Sequence, residues 1–213
     1  MTPIYAVYGA SGCGRGIMPI ARMQSDCEYA YIDDSNGPDA VNGHSVYRFE
    51  AFCELSHNDK FVVVAVADPV VRKALVAKCA SAGLQFFDVR SAQSTVFDDV
   101  SWGEGALISP YVTFTSNVRI GRHFHANINS YVEHDCRIGD FVTFAPGVQC
   151  NGNVHIGNGA YVGAGAIIKQ GTPAQPLIIG ADAVIGMGAV VLENVAVGST
   201  VVGNPARPII RST

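Results

Sequence analysis

The chain has 213 residues, 48% hydrophobic and only 15% charged, enough apolar material for one large core or two small ones. A net charge of −4 with no Lys/Arg run argues against nucleic acid as a main partner. No apolar run approaches a membrane span, no signal-peptide pattern opens the chain, and its six Cys are scattered without a CxxC; the expectation is a cytoplasmic protein with free, mostly buried thiols.

Residues 3–8 predict a buried strand. Gly9-Ala10-Ser11-Gly12-Cys13-Gly14 follows, then a helix over 15–24. Strand, Gly-rich turn and helix form the setting in which backbone N–H groups cradle a phosphate. The spacing is neither that of a dinucleotide fingerprint nor that of a P-loop, so a tight packing turn stands as the alternative. Residues 28–32 predict a second strand ending in Asp33-Asp34, where an acidic side chain can meet a ribose or a base; two solvated loop carboxylates are the alternative. Residues 50–57 predict a short helix and 61–67 a strand buried on both faces. Asp68-Pro69 opens a helix to Ser81, Gly83 stops it, and 84–89 predict a fourth strand. These elements make a small α/β domain with a parallel sheet, sized for a mononucleotide ligand at the carboxyl ends of its strands.

After a polar stretch over 91–101, the pattern changes. Every sixth residue from Trp102 through Ile108, Phe114, Ile120, Ala126, Val132, Ile138, Phe144, Cys150, Ile156 and Val162 to Ile168 is uncharged. A second small or apolar series runs four residues behind, from Ala106 to Thr172. Period six fits neither a helix nor a flat strand, but it fits a β-solenoid whose coils bury their apolar sides by stacking. The register slips by five residues at Lys169–Ile178 and resumes at Ile179, Ile185, Val191 and Val197. Such a slip predicts an extruded loop. Three hexads make one coil of 18 residues, so neighbours on successive coils can be named. His134 should lie between Ser116 and Gly152, Asp135 between Asn117 and Asn153, and Glu133 between Thr115 and Asn151. Glu133-His134-Asp135 is the candidate for chemistry, and Gly152 leaves room beside the imidazole.

The Tyr8–Gly14 turn, Ile32-Asp33-Asp34, and the run Asn127-Ile128-Asn129-Ser130-Tyr131-Val132-Glu133-His134-Asp135-Cys136 together resemble the bacterial sugar acetyltransferases of the bacillosamine and sialic-acid pathways. The likeness continues through Cys150-Asn151-Gly152-Asn153-Val154 to Val202-Gly203-Asn204-Pro205-Ala206-Arg207 and covers nearly the whole chain. It implies a nucleotide-sugar-binding α/β domain over 1–95, a Rossmann-like half, followed over 96–213 by a left-handed parallel β-helix of hexapeptide repeats. The left hand comes from the resemblance alone. The implied reaction is acetylation of the 4-amino group of a UDP-4-amino-4,6-dideoxy-sugar by acetyl-CoA, in a homotrimer, with no metal.

By the same resemblance Ser11, Gly12 and Cys13 would face the diphosphate, Asp33 and Asp34 the uridine, and Ala67 the nucleotide. His134 matches the general base and Asp135 the acid that raises its basicity. Asn127 matches an Asn near the reacting groups. Thr143, Gly152, Ala164 and Met187 fall where relatives meet acetyl-CoA. Relatives often have His at the place of Cys13 and can have Glu at that of Asp135, so Glu133 stands as a second partner for His134. Three other readings are a γ-carbonic-anhydrase-like zinc enzyme using His123, His125, His134 or His155, a non-catalytic UDP-sugar sensor, and an O-acetyltransferase acting on a sialic acid-like sugar.

Overall fold

A computed structural model describes residues 2–209. Contacts divide the chain into two compact units. One comprises the residues up to Arg90 together with Glu104–Leu107; the other comprises Ser91–Gly103 and the residues from Ile108 onward.

The first unit contains β1 (Ile4–Tyr8), α1 (Gly12–Arg22), β2 (Glu28–Ile32), β3 (Ala40–Val41), β4 (His44–Tyr47), α2 (Phe49–Glu54), β5 (Lys60–Val64), α3 (Pro69–Ser81) and β6 (Gln85–Phe86). Its sheet runs in the order β3-β4-β2-β1-β5-β6. β1 sits between β2 and β5, parallel to both, which explains why Ile4, Ala6, Val7 and Val62 to Val64 are apolar and buried. Asp68 caps α3 by accepting from the N–H groups of Val70 and Val71 at 2.8 and 3.1 Å, with Pro69 at the first helical position.

Four local features differ from expectation. α1 begins at Gly12, so half of the Gly-rich turn lies inside its first turn. The close approach of helix and strand sets this start: a Cβ on Gly14 would stand 1.7 Å from the carbonyl oxygen of Gly9. β5 ends at Val64 instead of Ala67, because Arg72, wholly buried, binds the loop carbonyls of Val66 and Ala67 at 2.7 and 3.1 Å. The β3–β4 hairpin was not expected; its turn is Asn42-Gly43, with φ of 50° and 80°, the dipeptide that suits a tight hairpin. The fourth strand pairs only over Gln85–Phe86.

The second unit is the left-handed β-helix. Its parallel ladders pair residues eighteen apart, as in Thr113 with Tyr131 and Tyr131 with Gln149. The inward series is buried: Ile108, Phe114, Val132, Phe144, Cys150, Val162 and Ile168 are each at most 1% exposed. Each such Ile or Val stabilises the stack by about 1.5–3 kcal/mol. The five-residue slip falls where it was expected, since Val154 pairs with Leu177 and Ile156 with Ile179. The last coil is shorter than the hexad register predicts. Ile179 bridges Val195 and Ile185 pairs with Val201, sixteen apart. The corner after Val191 spends two residues fewer, so Val195 (6% exposed) fills the inward place expected of Val197, which is 73% exposed. An antiparallel return, Val201 opposite Pro208 and Val202 opposite Arg207, closes the end.

Candidate active site

In the first unit a cleft of about 250 Å³ opens beyond the carboxyl ends of β1 and β2. Its lining includes Ala10, Ser11, Arg15, Asp33, Asp39 and Arg48. Ser11 is the N-cap residue of α1, and its side chain makes no capping bond. A Cβ on Gly12 would meet nothing within 4 Å, so packing inside this chain does not demand the glycine there. The exposed turn and the helix N-terminus therefore present an anion-receptive surface.

Asp33 lies at the cleft, and its carboxylate is fixed by the Ala10 N–H (2.7 Å), the Ser35 N–H (2.9 Å) and the Ser35 hydroxyl (2.6 Å). Burial raises its pKa, but these donors outweigh burial and hold the carboxyl below its ordinary range. Asp34 is placed differently. It is absent from the cleft lining, and its oxygens are taken by the Tyr8 hydroxyl (2.5 Å), the Phe49 N–H (2.9 Å) and Lys78 Nζ (3.0 Å). Cys13 packs against the core formed by α1 and the sheet, and burial raises its thiol pKa. Ala67 is exposed outside the cleft lining, its carbonyl bound by Arg72. Arg15, Asp39 and Arg48 were not singled out from sequence; the Asn42-Gly43 hairpin signal was the available clue to the wall that carries Val41 and Val46.

In the second unit the Glu133-His134-Asp135 triplet turns one edge of the prism, between the strands Tyr131–Val132 and Arg137–Ile138. The two acids of the triplet have separate tasks. Asp135 Oδ2 lies 2.8 Å from His134 Nδ1, while Glu133 Oε2 accepts the Gly152 N–H at 3.1 Å. A carboxylate only accepts, so in the neutral ring Nδ1 carries the proton and Nε2 the lone pair. The bond to His134 draws the Asp135 carboxyl below its usual range against the opposing effect of desolvation, and Asn117 adds to the lowering. The imidazole is 55% exposed and lies over Gly152, with no side chain in its way.

Several backbone amides of this edge are engaged. The Asp135 N–H donates to Ser116 O, Asn153 N–H to His134 O, and Asn151 N–H to Ile168 O. With Gly152 N–H held by Glu133, these amides are engaged, so a simple backbone oxyanion hole at residues 151–153 is not preformed. Cys136 and Cys150 are wholly buried, and both thiols reach toward Asn151 O, at 3.2 and 3.8 Å.

The remaining site residues lie elsewhere on the prism. Asn127, Ala164 and Met187 stand exposed on the edge preceding the face of Tyr131 and Gln149, whereas His134, Asp135 and Gly152 stand on the edge following it. Asn127 spends its side-chain oxygen on the Ile128 N–H at 2.8 Å. Thr143 is 3% exposed. One chain thus does not bring Asn127, Met187 and His134 together. Among the described residues no group of three or more His, Cys, Asp and Glu is arranged to hold a metal ion, and no helix is long and apolar enough to cross a membrane.

Residues 5–79 match the family model of the PglD N-terminal domain. Over 98% of this chain and 97% of the relative, the sequence is 46% identical to the GDP-perosamine N-acetyltransferase of Escherichia coli O157:H7. The solved structure of WeeI from Acinetobacter baumannii AYE is 50% identical over 98% of this chain and 100% of that one, with a TM-score of 0.95. The acetyltransferase domain of PglB from Neisseria gonorrhoeae FA1090, solved with acetyl coenzyme A, is 26% identical over 98% of this chain and all of its own, with a TM-score of 0.88.

The chain belongs to the hexapeptide-repeat nucleotide-sugar N-acetyltransferases. Its activity is acetyl-CoA-dependent transfer to a nucleotide-linked amino-sugar, with acetyl-CoA as co-substrate. The zinc-enzyme, sensor and O-acetyl readings are set aside by that membership.

Proposed function

We propose that the acceptor is the 4-amino group of a nucleotide-linked 4-amino-4,6-dideoxyhexose and that His134 is the general base. The observation carrying this reading is the Nδ1-to-Asp135 contact of 2.8 Å, which puts the proton of the neutral ring on Nδ1 and makes Nε2 its basic nitrogen, at an exposed edge beside Gly152. Nε2 takes a proton from the substrate nitrogen as that nitrogen attacks the thioester carbonyl. The C–S bond then breaks, and the imidazolium returns the proton to the departing CoA sulfur. Asp135 holds the tautomer and offsets the transient charge. Transfer is direct, because the buried Cys136 and Cys150 offer no accessible nucleophile.

The nucleotide sits in the cleft beside Ser11 and Asp33, with its diphosphate at the start of α1. Uridine is the reading carried from the sequence; guanosine is a second reading, favoured by the relative at 46% identity. The working unit is a homotrimer. The face between the two site-bearing edges points Thr113, Tyr131, Gln149, Ile167 and Val190 outward, none of them charged. Packing that face on copies of itself would set the Asn127–Met187 edge of one subunit against the His134 edge of the next.

The test measures CoA thiol release with UDP- and GDP-linked 4-amino-4,6-dideoxyhexoses, for the wild type and for His134→Ala. Turnover with one of the two sugars, lost in the variant with nucleotide binding retained, supports the reading. No release with either sugar, or full kcat in the variant, sinks it.

A further inference from the structure

We propose that Asn117 is a positioning residue for the reaction, acting through Asp135 on the tautomer of His134. Resting on the reading of His134 as base, it deepens that reading. Asn117 stands one coil below Asp135, and its Nδ2 donates to Asp135 Oδ1 at 3.3 Å while Oδ2 meets His134 Nδ1 at 2.8 Å. The carboxylate is therefore held at both oxygens. That matters because the Asp135 side chain is 47% exposed, so packing alone does not hold its side-chain torsions. A single contact to an equally exposed imidazole would leave the carboxylate to rotate into water; the second donor fixes its plane.

The backbone supports the same assignment. Asn117, Asp135 and Asn153 are stacked on successive coils with φ of 62°, 58° and 56°. Short amide and acid side chains tolerate this left-handed conformation. The turn places Asn117 directly below the acid, its amide in reach of Oδ1. An aspartate has one methylene less than a glutamate with which to reach its histidine, so its carboxylate needs a fixed orientation more. The hydrogen bond of the Asn117 side chain goes to Asp135, so the proposed effect on His134 passes through that carboxylate.

The experiment uses Asn117→Gly, which keeps the positive φ at no steric cost and deletes the amide, and Asn117→Asp, which keeps the turn and places a second carboxylate against Asp135. Nitrogen-15 NMR of His-labelled full-length protein reads the tautomer of His134 without substrate. Both variants are expected to move the neutral ring from the Nδ1–H toward the Nε2–H form, in the direction produced by Asp135→Asn. They are expected to lower kcat about tenfold with both KM values within about twofold. Wild-type tautomer populations in a folded variant would overturn the proposal, as would a raised KM at constant kcat. If Asn117→Gly fails to fold, Asn117→Asp decides alone. Full kcat in His134→Ala would remove the base assignment while the tautomer measurement still judged Asn117.

Discussion

The imidazole of His134 lies in the space that a side chain at position 152 would need: a Cβ built on Gly152 falls 2.6 Å from both Cε1 and Nε2. The open face of the imidazole and the glycine of the next coil are thus one feature. Gly152→Ala should push the ring aside without unfolding the stack, because the atoms met are the far end of an exposed side chain. A displacement of about 1 Å costs about 10²-fold in turnover. The expected result is that loss in kcat with an unchanged melting temperature, and unaltered kcat would count against the placement of the base.

Asp135→Asn keeps a residue suited to φ 58° but removes the acceptor that fixes Nδ1–H. Its kcat is expected to fall by about 10²-fold with little change in KM. The bond with His134 holds the wild-type carboxyl below its ordinary range, so Asp135 is ionised throughout the neutral range. Its own protonation can therefore affect the rate only in acid. Wild-type kcat in Asp135→Asn would contradict the pairing.

Asp33 and Asp34 are neighbours with different tasks, and their variants should separate. Asp34→Asn loses acceptor capacity toward Tyr8, Phe49 N–H and Lys78, and about 1–2 kcal/mol of stability is expected to go with it. Burial alone would raise the Asp34 carboxyl, but these donors depress it below 3.8. A depressed carboxyl stabilises the fold above its unfolded pKa and loses that contribution as pH falls through its folded value. The acid side of a melting-temperature profile should therefore be shallower in Asp34→Asn. Asp33→Asn should instead weaken nucleoside diphosphate binding in calorimetry, and equal losses of binding in the two variants would refute the division.

The proposed trimer has its own signature. Three copies of a 22.5 kDa chain scatter as about 68 kDa. If each site takes one edge from each of two subunits, His134→Ala and Asn127→Ala, each inactive alone, should recover about a quarter of wild-type activity when refolded together. No recovery from a mixed trimer would place the whole site on one chain.

Much of this was legible in the sequence because period six is a one-dimensional code. Once each coil takes 18 residues, the neighbours of His134 and Asp135 follow by counting, and Gly152 and Asn117 stand where the count puts them. Counting fails where the coil length changes: nothing in Val191 to Val197 announces the corner that is two residues short. It also cannot sort the two acids beside His134, since whether Asp135 or Glu133 reaches Nδ1 depends on a left-handed turn. The partners of Asp34 were hidden for a related reason. Acidic residues at the end of a second strand suggest a ligand, but Tyr8, Phe49 and Lys78 come from three distant segments that only the fold collects.

The five-residue slip has a consequence for redesign. Both ends of that excursion are fastened to one turn: Gly171 N–H donates to Gly152 O at 2.9 Å and Leu177 N–H to Asn153 O at 3.1 Å. Its tip closes on itself through paired bonds between Thr172 and Gln175. Register on either side is therefore set by the anchors and not by the length between them. Doubling a flexible connection costs only about 0.6 kcal/mol. Foreign peptide grafted between Thr172 and Gln175 would be carried beside the turn of Gly152 and Asn153 while the rest of the stack kept its alignment.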